Sequence, residues 1–511
     1  MTTHHSPHTD FTLRQTAFSS LRRAAVLLGA TLLTTTLMLF ANGCATYRDI
    51  GSSAKLQSPD AFATQKTFAV ASSDWPTEKW WLQFNDAQLN ALIDEALAHD
   101  PALDIAAARM RAAQAYTDTA RAALYPEIDG SGDISYQHFS ENWIFPPPFG
   151  GSSMFNNTLR IDGSYELDFW GKNRSAVSAA VSQQRAAEAE KQIVILLLTS
   201  NVATTYIELD RLFAQRDVVE QSLQQREKIF ALTQQRVDAG LDTRAELKQA
   251  EAQLPVLRGQ LAQIDEAIGS TRNTLAALLG AGPDRGLQIE RPQLAIAQTE
   301  VKLPANLPVD LLGRRPDVVA ARWLAEAARQ QTDVAKALFY PNVSLTGYIG
   351  YSSLGLDNLT KSSSEEYGIG PAIRLPIFAG GRLRQNLKSK YADYDSAVAI
   401  YNTTLTIALR DVANQLNALQ WLQTRQREQQ NAAQIARAAL DLATQRYEAG
   451  LGNYLSVLSA ETTVLAQDQL GVELNARAFA LQVNLINALG GGFDASQNKW
   501  GATKQTAAAS Q

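Results

Sequence analysis

Two hydrophobic periods divide the chain. Thr158, Arg160, Asp162, Ser164, Glu166 and Asp168 alternate with Leu159, Ile161, Gly163, Tyr165, Leu167 and Phe169. A period of two places charge on one face of an extended strand and apolar groups on the other. Val343, Leu345, Ile349 and Tyr351 alternate with Ser344 and Thr346, and Tyr367, Ile369, Ile373, Leu375 and Ile377 with Gly368, Gly370, Ala372 and Arg374. A weaker segment keeps Ile134 and Tyr136 two apart. Strands are therefore expected at about 131–140, 157–169, 343–352 and 367–378.

The second period is helical. Residues 171–239 and 381–449 contain no proline. At about 1.5 Å per residue, each makes a rod on the order of 100 Å long. Their partners are expected at 243–280 and 454–489. Leu247, Leu254, Leu257, Leu261, Ile264, Ile268, Leu275 and Leu278 recur at spacings built from three and four. Leu455, Leu458, Thr462, Leu465, Gln469, Val472, Ala476, Phe479, Val483 and Ile486 do the same. Such a sustained heptad predicts coiled-coil packing. Pro255 falls inside the first of these helices and should kink it or open one hydrogen bond.

These elements occur twice. Leu124-Tyr125-Pro126-Glu127-Ile128 returns as Phe339-Tyr340-Pro341-Asn342-Val343, 215 positions on. Gln235-Arg236-Val237-Asp238-Ala239-Gly240-Leu241 returns as Gln445-Arg446-Tyr447-Glu448-Ala449-Gly450-Leu451, 210 positions on. The expected organisation is a first repeat over 86–281, a proline-bearing connector over 282–308, a second repeat over 309–490 and a polar tail over 491–511.

The start of the chain reads as an export signal over 1–43, followed by a mature N-terminal segment over 44–85. Arg14, Arg22 and Arg23 precede an uncharged apolar stretch from Ala24 to Ala41. It ends at Ala41-Asn42-Gly43-Cys44, which resembles a bacterial lipobox with Cys44 as the lipid-bearing residue. Ala45 after the cysteine favours the outer membrane by the sorting rule of lipoproteins.

Composition removes several function classes. The net charge of −5 gives no basic footprint for nucleic acid. A lone cysteine excludes a disulfide framework. His4, His5, His8, His99 and His138 lack metal-ligand spacing, and no phosphate loop or nucleophile elbow is present. No catalytic, cofactor or metal site is expected, so energy must come from elsewhere.

About ten residues of alternation is what a tilted strand needs to cross a bilayer. Tyr125, Phe169-Trp170, Phe339-Tyr340 and Phe378 gather at one end of the four segments, as in an interfacial girdle. Open sheet edges are not tolerated in lipid, so the chain must associate with copies of itself. Periodicity leaves both two copies, with eight strands, and three, with twelve, open. Arg160, Asp162, Glu166, Asp168 and Arg374 are expected to face the lumen. The loop from Trp143 to Gly150 reads as a rigid extracellular lid or a contact between copies.

The chain resembles the outer-membrane factor family of TolC, specifically its NodT-type efflux lipoproteins. The resemblance rests on Trp80-Trp81-Leu82-Gln83-Phe84-Asn85-Asp86, Tyr165 to Gly171, Leu311 to Asp317, Arg446-Tyr447-Glu448-Ala449-Gly450 and Asn453-Tyr454-Leu455. It implies a mainly α protein with a membrane β-barrel portion: a homotrimer with a 12-strand barrel and an α-helical tunnel. It also implies a periplasmic adaptor and an inner-membrane pump as partners. In the family the helix tips close the tunnel and receive the adaptor. That points to Arg236, Gly240, Leu241, Asp242, Arg446, Tyr447, Gly450, Leu451 and Asn453. Ser456 and Ser459 stand where many relatives carry an acidic ring, so Tyr447, Leu455, Ser456 and Ser459 are the gate candidates. The implied function is a passive outer-membrane conduit for drugs or other small toxic molecules. A type I protein-secretion channel and a periplasmic adaptor lipoprotein are the rival readings.

Overall fold

The computed structural model describes residues 47–496, except 48, 59–60, 65, 69–70, 143, 145, 296–301 and 305–306. Cys44, the export signal and most of the polar tail lie outside the described residues. The elements are β1 (Ala71–Ser73), α1 (Ala87–His99), α2 (Pro101–Ala122), β2 (Glu127–His138), β3 (Ser153–Glu166), α3 (Lys172–Asp238), α4 (Arg244–Leu278) and α5 (Pro283–Leu287). There follow β4 (Lys302–Pro304), α6 (Leu307–Arg314), α7 (Pro316–Ala337), β5 (Asn342–Leu354), β6 (Glu365–Arg374), α8 (Arg382–Glu448) and α9 (Tyr454–Ala488). The segment expected as a plain connector thus carries the short helix α5, strand β4 and the start of α6. Strand β2 begins earlier than the alternation suggested, and β6 ends at Arg374, short of Pro376, which has no amide to donate.

The chain divides into two units. The first comprises residues 1–53, 117–180 and 327–395. Its centre is a four-stranded antiparallel sheet in the order β2-β3-β5-β6. The register sets Asp129 opposite Asp162 and Asp162 opposite Tyr348, while Ile161 lies beside Ile349 and Ile349 beside Tyr367. Period two therefore continues across all four strands. One face carries Glu127, Asp129, Asp133, Arg160, Asp162 and Glu366, and the other Ile128, Ile134, Leu159, Ile161, Ile349 and Ile369. The apolar face is uncovered: Ile128 is 72% exposed, Ile161 55% and Ile369 80%.

The aromatic set beside the sheet splits. Trp170 stacks on Tyr340 with centroids 4.4 Å apart, and its indole Nε1 donates to Pro341 O at 2.8 Å. Phe169 and Phe378 are exposed, but Phe339 is buried with Ile50, Ala335, Leu383 and Leu387 and belongs to the core rather than to a girdle. Phe339 is the last apolar position of the preceding helical pattern, so it points inward with that helix's packed side. The N-terminal segment lies against the same cluster. Tyr47 packs on Phe339, its hydroxyl meets that of Tyr340 at 3.1 Å, and Asp49 pairs with Arg384.

The second unit comprises residues 54–116, 181–326 and 396–511. Its main core joins Trp80, Trp81, Phe84, Leu89 and Ile93 to Leu198, Val202, Tyr206 and Leu209 of α3 and to Leu275 of α4. Asp86 organises that junction. Its Oδ1 accepts from Leu89 N at 2.9 Å as the cap of α1, and its Oδ2 accepts from the Tyr206 hydroxyl at 3.0 Å and Gln293 N at 2.8 Å. Arg315 does the corresponding work at the start of α7, donating to Asp317, Asp411 and Ala488 O. The two sequence motifs that contain Asp86 and Arg315 are thus polar joints in a hydrophobic core.

Helix α4 continues past Pro255 without ending, and Leu254 and Leu257 beside it are buried. In the first half of α9 the buried side is Tyr454, Val457, Glu461 and Val464, one residue away from the expected Leu455, Leu458, Thr462 and Leu465. A buried carboxylate occupies a core position there, and the sequence pattern skipped it for the nearest aliphatics. Leu455 consequently faces outward, 62% exposed, while Leu458 is half-buried against the tip cluster.

Candidate functional site: the helix tips and the polar sheet face

The two long rods stop at matched breaks. Gly240 (φ +73°) and Gly450 (φ +75°) adopt the left-handed conformation that glycine takes without a Cβ penalty. Leu241 N and Leu451 N then donate to Arg236 O and Arg446 O, each at 2.8 Å. The next helices start at once. Thr243 and Glu246 form a reciprocal capping box, and Asn453 Oδ1 accepts from Ser456 N at 3.0 Å and Ser456 Oγ at 2.8 Å. These caps make each turn short and stiff. Leu241 and Leu451 project from them, strongly exposed.

A polar network ties one turn to the other rod. Arg236 Nε and Nη2 donate to Asp242 Oδ2 and Oδ1 at 2.9 and 3.2 Å. The Tyr447 hydroxyl donates to Asp242 Oδ2 at 2.5 Å and meets Thr233 Oγ1 at 2.9 Å. The Arg236 guanidinium lies over the Tyr447 ring, 4.7 Å from its centroid. Tyr447 is fully buried among Ala250, Tyr454 and Val457. Burial, then its bond to Asp242, pushes the Tyr447 phenol up to about 12. Burial works against ionised Asp242, yet the bonds from Arg236 and Tyr447 prevail and hold its carboxyl below the usual value. The network is therefore an ionised carboxylate gripped by a cation and a neutral phenol across the physiological range.

Of the residues expected at the tips, Arg236, Asp242 and Tyr447 come together, and Gly240, Gly450 and Asn453 shape the turns. Among the described residues Arg446 does not join them; it donates to Leu451 O of its own turn at 3.4 Å. Thr233 was missed. Its signal was its place seven residues before Gly240, where the second repeat has Ala443. Among the gate candidates, Leu455, Ser456 and Ser459 share an exposed side of α9, with Ser456 engaged by Asn453.

On the polar sheet face Arg160 is the organising residue. It donates to Asp162 at 2.9 Å, approaches Glu366 at 3.6 Å and covers the Tyr348 ring at 4.0 Å. Gly350 opposite gives it room, because a Cβ there would lie 2.8 Å from Arg160 Cγ. Glu166, the last residue of β3, pairs with Lys172 at 2.6 Å, and Arg374 ends β6 on the same face. Asp168 departs from the expectation for a lumen residue. It lies beyond β3, and its carboxylate accepts from Asn173 N at 3.1 Å and Arg174 N at 2.9 Å, capping α3. The strand pattern continued to Phe169 in sequence, but the unsatisfied amides of a new helix claim Asp168 first.

A small sheet with one polar and one bare apolar face, joined in sequence to paired rods of 67 residues, defines a TolC-like outer-membrane channel subunit. The sequence model described as outer membrane efflux protein matches residues 92–281 and 307–491, and the chain belongs to that family. It is 32% identical over 467 residues to the multidrug resistance outer membrane protein MdtP of Shigella flexneri, covering 89% of this chain and 94% of that protein. The fusaric acid resistance protein FusA of Burkholderia cepacia is 36% identical over 350 residues, 68% of this chain and 66% of FusA. Among solved structures, the outer membrane protein VceC from Vibrio cholerae superposes with a TM-score of 0.78 at 42% identity, covering 82% of this chain and all of VceC. The outer membrane channel CmeC of Campylobacter jejuni gives 0.79 at 25% identity, covering 88% and 96%. The protein is an outer-membrane efflux channel.

Proposed function

We propose that three copies of this chain form a passive conduit that carries drugs and other small toxic molecules out of the cell, shut at rest by the helix tips. The observation that carries this is the four-stranded sheet with a bare apolar face and free edges at β2 and β6. Lipid does not tolerate such edges, so β2 of one copy pairs with β6 of the next. Three four-stranded sheets give the twelve strands of the family's barrel. A stripe on α8 supports the same association: Ile400, Ile407, Trp421, Ile435 and Leu442 are exposed and separated by multiples of seven.

The polar sheet face lines the lumen, with Arg160, Asp162, Glu166 and Arg374 hydrated there. At the tips, Asp242 and Tyr447 hold the two hairpins together, and Leu241 and Leu451 offer apolar contacts to a periplasmic adaptor. An inner-membrane pump supplies the energy. The names of MdtP and FusA favour small molecules over polypeptides as cargo. Cys44 carries the lipid. It precedes Tyr47 by three residues, about 10 Å of chain, and Tyr47 is pinned beside the Trp170–Tyr340 stack. The acyl chains thus arrive where interfacial aromatics sit.

Reconstitution tests the proposal. Purified protein in planar bilayers should show a small resting conductance, which rises when Asp242→Ala removes the tip bond. In a host lacking its own channel, the protein should restore resistance only together with its adaptor and pump. Large, unchanged conductance in both proteins would place the closure elsewhere, and the Trp143 to Gly150 loop would be examined next. Mass spectrometry should find diacylglyceryl-cysteine at residue 44.

A further inference from the structure

Above the tips, a second polar contact joins the hairpins. Arg226 of α3 and Glu461 of α9 are almost completely buried, with side chains 6% and 4% exposed. Arg226 Nε lies 3.7 Å from Glu461 Oε2, and neither atom has a hydrogen-bond partner among the described residues. Arg226 is anchored from its other side, where Nη1 donates to Gln253 Oε1 of α4 at 2.6 Å. Glu461 opens onto a recess of about 10 Å³, roughly the room for one water, whose polar lining includes Gln221, Ser222, Gln225 and Asp468.

We infer that Arg226 and Glu461 form a second latch between the hairpins, one that positions α3, α4 and α9 in the shut channel and tightens when Glu461 takes up a proton. The inference rests on the reading that the tips close the conduit. It follows from how poorly this pair is satisfied. A buried ion pair offsets its desolvation only with close geometry and filled hydrogen bonds. Here the charges face each other beyond hydrogen-bond reach. The shut state therefore holds an ionised carboxylate at a cost, and splaying the helices hydrates it. Once protonated, Glu461 gains a donor, and the side-chain oxygens of Gln221, Ser222 and Gln225 at the recess can accept from it.

The direction of the response is fixed by the surroundings. Burial raises the Glu461 carboxyl to about 6, with Arg226 pulling the other way. Tyr454 lies on its own helix, Gln253 of α4 is uncharged and bonded to Arg226, and Asp468 at the recess is held by Arg437 of α8 at 2.5 Å. In the shut state the carboxyl binds its proton more tightly than when hydrated near its ordinary 4.5. Proton uptake thus accompanies closure, and acid favours the shut channel. These two values give about an eightfold shift toward the shut state, per chain, between pH 7.5 and 5.

The test uses the full channel in planar bilayers, with Tyr447→Phe as background so that openings are frequent. Conductance should fall as pH drops through about 6. Glu461→Gln, a permanently neutral side chain, should hold conductance low at every pH and abolish the response. Arg226→Gln should move the midpoint upward, because the cation that opposes protonation is gone. A second readout is the distance between nitroxides on Leu241→Cys in neighbouring copies, which should contract over the same pH range. That readout also keeps the two readings apart. If Tyr447→Phe leaves conductance unchanged, closure at the tips is wrong, while the nitroxide distances still report on Glu461. An unaltered pH response in Glu461→Gln, or a channel that opens in acid, overturns the latch.

Discussion

The two hairpin turns are copies of one another in sequence and unequal in use. Both have Arg six residues before the end of the turn, at Arg236 and Arg446, and both break at glycine. Among the places where the copies differ are Thr233 against Ala443, Val237 against Tyr447, and Asp242 against Gly452. Those differing positions are where the bonds between hairpins form. The first turn supplies the carboxylate and its arginine, and the second supplies the phenol. What the copies share builds a rod and stops it; what they do not share makes one rod hold the other. The contact above the tips follows the same rule, since Arg226 faces Glu461 while the repeat sets Ala436 at the arginine's matching position.

Strands are where the copies should behave alike, and the largest effect is expected there. Ile161 in the first copy and Ile369 in the second lie on the bare apolar face. Arginine at either position near mid-membrane should cost about 2–4 kcal/mol. Heat-dependent dissociation of the trimer on a gel should show similar losses for Ile161→Arg and Ile369→Arg. Asp162→Leu, on the polar face, should cost less. A larger loss for Asp162→Leu would reverse the assignment of the faces.

At the tips the matched arginines should separate. Arg236 grips a buried carboxylate, so Arg236→Ala leaves Asp242 without its cation and should weaken closure by about 2–3 kcal/mol. Conductance should rise accordingly. Arg446 makes one long bond within its own turn, and Arg446→Ala should change closure by less than about 0.5 kcal/mol. Smaller still in its reach is the cap of α9. Asn453→Ala should loosen that helix end by about 1 kcal/mol, read as faster amide exchange at Leu455 and Ser456.

Much of this was legible in the sequence because periodicity reports long, regular surfaces. Both 67-residue rods, all four strands and both glycine breaks could be placed within a few residues. Several of the failures share a cause: a polar residue put to structural use looks like any surface residue in a hydrophobicity pattern. Asp168 continued a strand pattern yet caps a helix, because the amides of Asn173 and Arg174 need an acceptor. Glu461 occupies a core position of α9, so the apparent seam slid one residue to Leu455 and Leu458. Arg446 and Arg236 occupy matching positions of the repeat, and the hydrophobicity pattern gives both the same role. Only the structure shows that Asp242 is within reach of one of them.

The smallest expected effect is an absence of change, and it separates the two polar contacts. Asp242 has a lowered carboxyl, so the tip bond is fully present above the ordinary carboxylate value and is lost only as pH falls toward and below it. Tyr447 has a raised phenol, so the same bond is present below the ordinary tyrosine value near 10 and is lost as pH rises through about 12. Between pH 5 and 9 neither group titrates. In Glu461→Gln, closure should therefore be flat across that window and weaken only outside it, in strong acid and above about pH 10. Adding Tyr447→Phe should weaken closure at every pH in the window and abolish the alkaline loss, leaving the profile flat. A response near pH 6 that survives Glu461→Gln would mean the tip network itself takes up protons there, and the assignment of an ionised Asp242 held by Arg236 and neutral Tyr447 would fail.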